Sequence, residues 1–159
     1  MRACTSLMLL VFAFTLHGQS KSITRFREKH PENSNMFFYS STLKMLNAEN
    51  NPQLADLLGD IEEIRVLNYE KGKQNLSRDD VAGLKDALAD EDYVNLMMTN
   101  EKGNAIGLYS RQKRGRTVGF VAVVENGESL VLIDLIGSID VKKFLELKQK
   151  LDTHLDDRT

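Results

Sequence analysis

Four basic side chains lie close together in the second half of the chain. They fall within six positions across a predicted hairpin turn: Arg111, Lys113, Arg114 and Arg116. Guanidinium and ammonium groups can bind phosphate, an anionic glycan, a lipid headgroup or an acidic protein face. No aromatic residue alternates with these charges as a base-stacking platform requires, and the formal net charge of the chain is −2. The cluster is therefore interpreted either as a solvated turn or as a site for an anionic partner, and nucleic acid is not an expected partner.

One carboxylate lies inside an apolar run. Asp134 belongs to the most apolar predicted strand, where alternation places it on the same face as Leu130 and Leu132. A buried carboxylate needs a partner. In a purely structural interpretation, the Asp134 side chain points inward and bonds a backbone amide, or it lies at an edge position facing water. The alternative is an enzyme site assembled from distant segments, such as Asp134 with His30 or Tyr109.

Other residue types give little support for catalysis or for a cofactor. Beyond the N-terminal segment the histidines are His30 and His154, with no metal-ligand spacing around either. No serine is flanked by glycines in the pattern of a nucleophile turn, and Ser40, Ser41 and Thr42 suit helix capping. The glycines do not form a strand-to-helix phosphate loop. The chain is therefore predicted to be no enzyme and to hold no metal or cofactor.

The first twenty residues have the order of a secretory signal peptide. Arg2 precedes an apolar run over 7–16, and small and polar residues follow, with cleavage expected near Gly18 or Ser20. The run is shorter than the roughly 20 residues that cross a bilayer as a helix, so no membrane span is expected. Cys4, the single cysteine, precedes the run, so no lipid anchor and no disulfide are expected. Export to the periplasm or the exterior follows.

The remaining chain divides into a polar lead-in over 21–35, expected to pack lightly, and a single domain over 36–156. The early part of the domain predicts helices and one strand. A helix begins after the hydroxyls at 40–42, a second begins at Pro52, and a third follows a capping box at Ser77. The period-two alternation of Ile64–Tyr69 predicts a strand between the second and third helices.

The later part predicts an antiparallel meander of four strands. Glycine-containing turns separate four apolar runs, and Asn126-Gly127 is a strong hairpin signal. The runs are Tyr93–Thr99, Ala105–Arg111, Thr117–Val124 and Ser129–Leu135. A closing helix carries an apolar stripe of Val141, Phe144, Leu145, Leu151 and Leu155. The predicted fold is α+β, a four-stranded antiparallel meander plus one further strand, with helices packed on one face.

Several segments together resemble the bacterial family called domain of unknown function 4252. They are the 38–47 stretch FYSSTLKMLN, Ile64–Leu67, Tyr93–Met97, and Leu130–Gly137 followed by the closing helix. The resemblance implies a small exported protein but no activity and no catalytic residues. Many members look like lipoproteins with a cysteine at the end of the signal, from which this chain departs. The resemblance also implies a role in envelope signalling, because genes of family members lie near genes for sigma and anti-sigma regulators.

Three hypotheses about function follow. The first is a non-enzymatic envelope module that binds another envelope protein, suggested by the absence of catalytic constellations. The second is a protein that binds an apolar or anionic small ligand between sheet and helices, lined by Met45, Met97, Met98 and Phe144. The third is an unrecognised enzyme. The oligomeric state is left open.

Overall fold

The computed structural model describes residues 19–138 except 46, 48, 49 and 102. The apolar run at 7–16 and the closing helix predicted from Val141 lie outside the described residues. The helices are α1 (Lys21–Lys29), α2 (Ser40–Met45), α3 (Pro52–Gly59), α4 (Lys71–Gln74) and α5 (Arg78–Asp90). The strands are β1 (Ser34–Tyr39), β2 (Ile61–Glu70), β3 (Tyr93–Glu101), β4 (Asn104–Lys113), β5 (Arg116–Glu125) and β6 (Ser129–Gly137). None of the described helices is long and apolar enough to cross a membrane.

The strands form one antiparallel sheet in the order β1-β2-β6-β5-β4-β3. The α+β class and the four-stranded meander are confirmed, since β3 to β6 are neighbours in chain order. The predicted further strand is β2, which pairs with β6 in the middle of the sheet. The predicted total of five strands is too low by one. The segment Ser34–Tyr39 is a sixth strand because its backbone pairs residue by residue with β2, from Ser34 opposite Asn68 to Tyr39 opposite Glu63.

The segment predicted as a lightly packed lead-in contains α1, so the expectation of light packing is wrong. Ile23 and Phe26 lie three residues apart on one face of the helix and are both buried. Ser20 caps the helix by accepting a hydrogen bond from the Ile23 amide. The Ser22 hydroxyl donates to the Ala87 carbonyl of α5 at 2.8 Å. The two buried apolar side chains, the Ser20 cap and the Ser22 hydrogen bond together hold this nine-residue helix on the domain.

α1 and α5 cover one face of the sheet, which we call the helix face. α5 begins with the predicted capping box, in which Ser77 and Asp80 each bond the other's backbone amide. The apolar side chains of the two helices meet those of β2, β5 and β6 in one core: Ile23, Phe26, Val81, Leu84, Leu88, Leu67, Tyr69, Val121, Val123, Leu130 and Leu132. The opposite face carries half-buried side chains, including Val66, Ile133 and Leu135.

The predicted turns lie where the sequence indicates. Gly103 between β3 and β4 has φ +83°, and Arg114 and Gly115 between β4 and β5 have φ +52° and +73°. A backbone in this region suits glycine and the two-residue hairpins that match strand twist. Asn126 organises the last turn, because its side-chain oxygen accepts from the amides of Glu128 and Ser129. Gly137 ends β6 with φ +126°, where a Cβ would collide with the backbone of Asp60.

Candidate functional site

The predicted basic cluster is divided by the β4–β5 hairpin. Lys113, Arg114 and Arg116 lie exposed at the tip of the turn, surrounded by solvent. Arg111 lies further back and is half-buried, with its guanidinium carbon 5.2 Å from the centre of the Tyr93 ring. Three charges therefore remain together at the turn, while the fourth stacks on an aromatic ring of β3.

Asp134 is fully buried on the helix face, where it shares a face with Leu130 and Leu132 as alternation predicts. Its cross-strand neighbours are Arg65 on β2 and Val121 on β5. Burial raises the pKa of Asp134 to about 6, although the charge of Arg65 and the nearby backbone amide of Ser20 act to lower it. Within the described residues neither carboxylate oxygen accepts a hydrogen bond of normal geometry. Asp134 is therefore a buried carboxyl whose desolvation is only partly offset by the charge of Arg65 and the amide of Ser20.

Tyr93 lies close to this carboxyl and shares its environment. Burial and the charge of Asp134 raise the pKa of Tyr93 to about 12, so the phenol is neutral at physiological pH. Its buried hydroxyl has no hydrogen-bond partner in the described part of the chain. Asp134 and Tyr93 are therefore both shielded from solvent.

The distant residues suggested as partners of Asp134 are placed differently. His30 Nε2 lies 3.2 Å from Asp80 Oδ1, between α1 and α5, and its ring packs on Phe26. Tyr109 shares the helix face with Asp134, but the β5 strand with Val121 lies between them. The structure therefore surrounds Asp134 with Arg65, Tyr93 and the Ser20 amide rather than with His30. No group of three metal-ligating side chains occurs among the described residues.

The methionines suggested as a ligand lining do not lie between sheet and helices. Met45 is 78% exposed at the end of α2, and Met98 is 66% exposed on β3. Met97 is also exposed, and Phe144 lies outside the described residues. The predicted lining is therefore wrong for the three described methionines, because α2 ends in solvent and β3 is an edge strand.

The most unusual surface feature is β3 itself, which the sequence analysis did not recognise as a site. Four of its large apolar side chains are exposed: Val94, Leu96, Met97 and Met98. Val94 and Met97 pair across from Ser110 and Leu108 on one face, and Met98 pairs with Gly107 on the other face. A register shift between Asn95 and Met97 leaves Leu96 unpaired at a bulge. The sequence does contain a signal for this surface. Apolar residues occur at both odd and even positions of this one strand, so both of its faces carry apolar side chains.

β3 also occupies an edge of the sheet. β3 is the last strand of the sheet and pairs with β4 along one edge only, and no other described strand lies along its second edge. An edge strand presents a row of amide and carbonyl groups to which another chain can add. We call β3 with its four exposed apolar side chains the β3 edge.

These features define a small α+β domain with an apolar core that includes the buried Asp134 and Tyr93, and with an apolar sheet edge along which no other described strand lies. The chain belongs to the family described as Domain of unknown function (DUF4252), whose model matches residues 28–147. The matched segment begins within α1 and contains every strand described above. No curated protein and no solved structure matches the chain significantly.

Proposed function

We propose that this protein is an exported, non-enzymatic module of the cell envelope that binds another protein through the β3 edge. The observation that carries the proposal is the coincidence of four exposed large apolar side chains with an unpaired strand edge. Soluble proteins normally protect such edges with charges, prolines or covering elements. An edge left open and apolar therefore favours a binding role.

The expected mode of binding is addition of an extended segment of the partner as a seventh strand. Main-chain hydrogen bonds to β3 supply affinity in this mode, and alternate side chains supply specificity. Covering the apolar side chains gains about 25 cal/mol for each Å² removed from water. Methionine suits such a surface, because its flexible thioether adapts to different partners. Met97 and Met98 supply this flexibility on the two faces of the strand.

The charge at one end of β3 favours a particular kind of segment. Asp92, which is exposed, precedes the strand, so this end of the β3 edge carries a carboxylate. Nine residues of strand span about 30 Å. A partner segment of this length with apolar residues in the middle and a lysine or arginine at the end beside Asp92 would complement the β3 edge in both polarity and charge.

The other edge of the sheet is less suitable. β1 has six residues against nine in β3, and its exposed large apolar side chains are Met36 and Tyr39. A shorter strand offers fewer main-chain hydrogen bonds and less apolar area. β1 therefore provides a matched control for variants of the β3 edge.

Export rests on the N-terminal order of Arg2, the apolar run over 7–16 and the small residues that follow. A role in envelope signalling is part of the same proposal and rests on the resemblance to the family alone. The experiment is affinity purification of the tagged mature protein from the native envelope after mild crosslinking, with separation of periplasm, membranes and medium. A specific partner in an envelope fraction supports the proposal. Recovery of no partner, or of the protein in the cytoplasm, would overturn it.

A further inference from the structure

A groove separate from the apolar side chains of β3 lies along the outer side of α5. Its volume is about 760 Å³, within the usual range for small-molecule sites. One wall is formed by α4 and α5, and the other by the ends of β3, β4 and β5 with the turn after β5. The groove is open to solvent, so a ligand can enter without a change in the fold.

The charges of the groove are unbalanced. Among the described residues, Lys71, Arg78 and Lys85 line it together with one carboxylate, that of Glu125. Lys71 Nζ lies 2.8 Å from Glu125 Oε1, and Lys85 Nζ lies 3.7 Å from Glu125 Oε2. Burial acts to raise the pKa of Glu125, but the two lysines outweigh it, so the pKa is lowered and the carboxylate is charged. The carboxylate of Glu125 thus interacts with both lysines, and the groove retains an excess of positive charge.

Arg78 supplies one of the charges in that excess. It is exposed and lines the groove, and it has no acidic partner within the described part of the chain. A guanidinium donates up to five hydrogen bonds in a planar fork that suits a carboxylate or a phosphate. Arg78 and Lys85 lie seven residues apart on α5, so both project from the same side of the helix. Together they form the cationic side of the groove.

The rest of the lining combines polar and apolar groups. Asn100 places at the groove a side-chain amide that offers both a donor and an acceptor, whereas the oxygen of Asn126 already accepts within the turn and leaves Nδ2 as a donor. The apolar part of the lining consists of Leu76, Val81, Ala82 and Ala105. The volume greatly exceeds that of one inorganic anion, for which a water-sized site would be enough.

We propose that this groove binds an anionic carbohydrate, with its carboxylate or phosphate group on Arg78 and Lys85 and its hydroxyl groups on Asn100 and Asn126. The apolar part of the lining then packs against the apolar face of the sugar ring. Lys71 pairs with Glu125 and offsets the charge of that carboxylate beside the bound anion.

The test is a ¹H–¹⁵N NMR titration of the mature protein with four probes: glucuronate, glucose 6-phosphate, glucose and inorganic phosphate. We expect both charged sugars to shift amide signals of the groove and to bind about tenfold more tightly than glucose or phosphate alone. Glucose shows whether binding requires a charged group on the sugar, and inorganic phosphate shows whether binding requires the sugar ring. The proposal is overturned if neither charged sugar binds at millimolar concentration, or if inorganic phosphate binds as tightly as glucose 6-phosphate.

Variants locate the site. Arg78→Gln is expected to weaken binding of both charged sugars about tenfold or more, because it removes a charge-assisted contact. Lys73→Gln is the matched control, since Lys73 is exposed on the neighbouring helix α4 but does not line the groove. Equal affinities of wild type and Arg78→Gln would contradict the proposal. Met98→Lys on the β3 edge is expected to leave sugar binding unchanged, so this proposal and that of protein binding are tested separately.

Discussion

Arg65 and Asp134 lie directly opposite each other in the antiparallel ladder of β2 and β6, yet the guanidinium of Arg65 bonds elsewhere. Its Nε donates to Glu63 Oε1 at 2.6 Å, and Nη2 lies 3.4 Å from Glu63 Oε2. Asp134 is left fully buried with a pKa raised by that burial to about 6. The sheet therefore contains a carboxyl that ionises near neutral pH and destabilises the fold when it does.

Asp134→Asn is expected to stabilise the protein above about pH 6 and to change little near pH 4. The pKa of Asp134 is about 6 in the folded chain against a reference value of 3.8. A raised pKa means that stability is fully present below the unfolded value and is lost as the pH rises through the folded value. The difference corresponds to about 3 kcal/mol. Urea unfolding of both chains at about pH 4 and about pH 7.5 measures this effect, and identical pH profiles would contradict it.

Glu63→Ala is expected to lower the pKa of Asp134. The substitution removes a negative charge that raises this pKa, and it releases Arg65 toward the carboxylate opposite. A ¹³C NMR titration of the Asp134 side chain measures the change. Glu62→Ala is the control, because Glu62 is exposed on the same strand and makes no contact with Arg65 among the described residues. An unchanged pKa in Glu63→Ala would show that Arg65 and Glu63 do not act on Asp134.

Phe26→Ala is expected to reduce the free energy of unfolding by about 3 to 5 kcal/mol, since it opens a cavity under α1. Phe26 packs edge-on against Tyr69 in the core, with ring centres 5.4 Å apart. Arg25→Ala, on the exposed side of the same helix, is expected to change the free energy of unfolding by less than about 0.5 kcal/mol. Chemical denaturation compares the two. Equal effects would mean that α1 is not part of the cooperative domain.

A chain that begins at Gln19 is expected to be more stable than one that begins at Lys21. Ser20 is buried, caps α1 and donates from its hydroxyl to Glu91 Oε2 at 3.2 Å. Loss of this cap costs about 1 kcal/mol. Under the proposed export we therefore predict that the signal peptide is cleaved after Gly18 rather than after Ser20, and N-terminal sequencing of the mature protein tests this. A mature protein that starts at Lys21 with undiminished stability would contradict this prediction.

Local patterns were sufficient to predict much of this fold. β3 to β6 follow from alternation bounded by glycine turns, and α5 follows from the Ser77 capping box. The placement of Asp134 on one face with Leu130 and Leu132 also follows from alternation, because the side chains of one strand point alternately to the two faces. These features depend on neighbours in sequence.

What sequence reasoning missed depends on contacts between distant segments. The apolar run at 36–39 reads equally well as a helix entry, and only pairing with β2 makes it a strand. Ile23 and Phe26 are too few to indicate a core helix without α5 to receive them. The neighbour of Asp134 and the edge position of β3 both follow from strand order, which alternation does not determine.

The measurement that tests the central claim most directly is recovery of the envelope partner by wild type and by two single variants, Met98→Lys and Met36→Lys. Both methionines are exposed on edge strands, on β3 and β1 respectively, so the substitutions are matched in chemistry and in their small effect on folding. We predict that Met98→Lys loses the crosslinked partner, because a charge desolvated at the β3 edge opposes docking, while Met36→Lys retains it. Equal recovery by all three proteins, or loss in Met36→Lys alone, would contradict binding through the β3 edge.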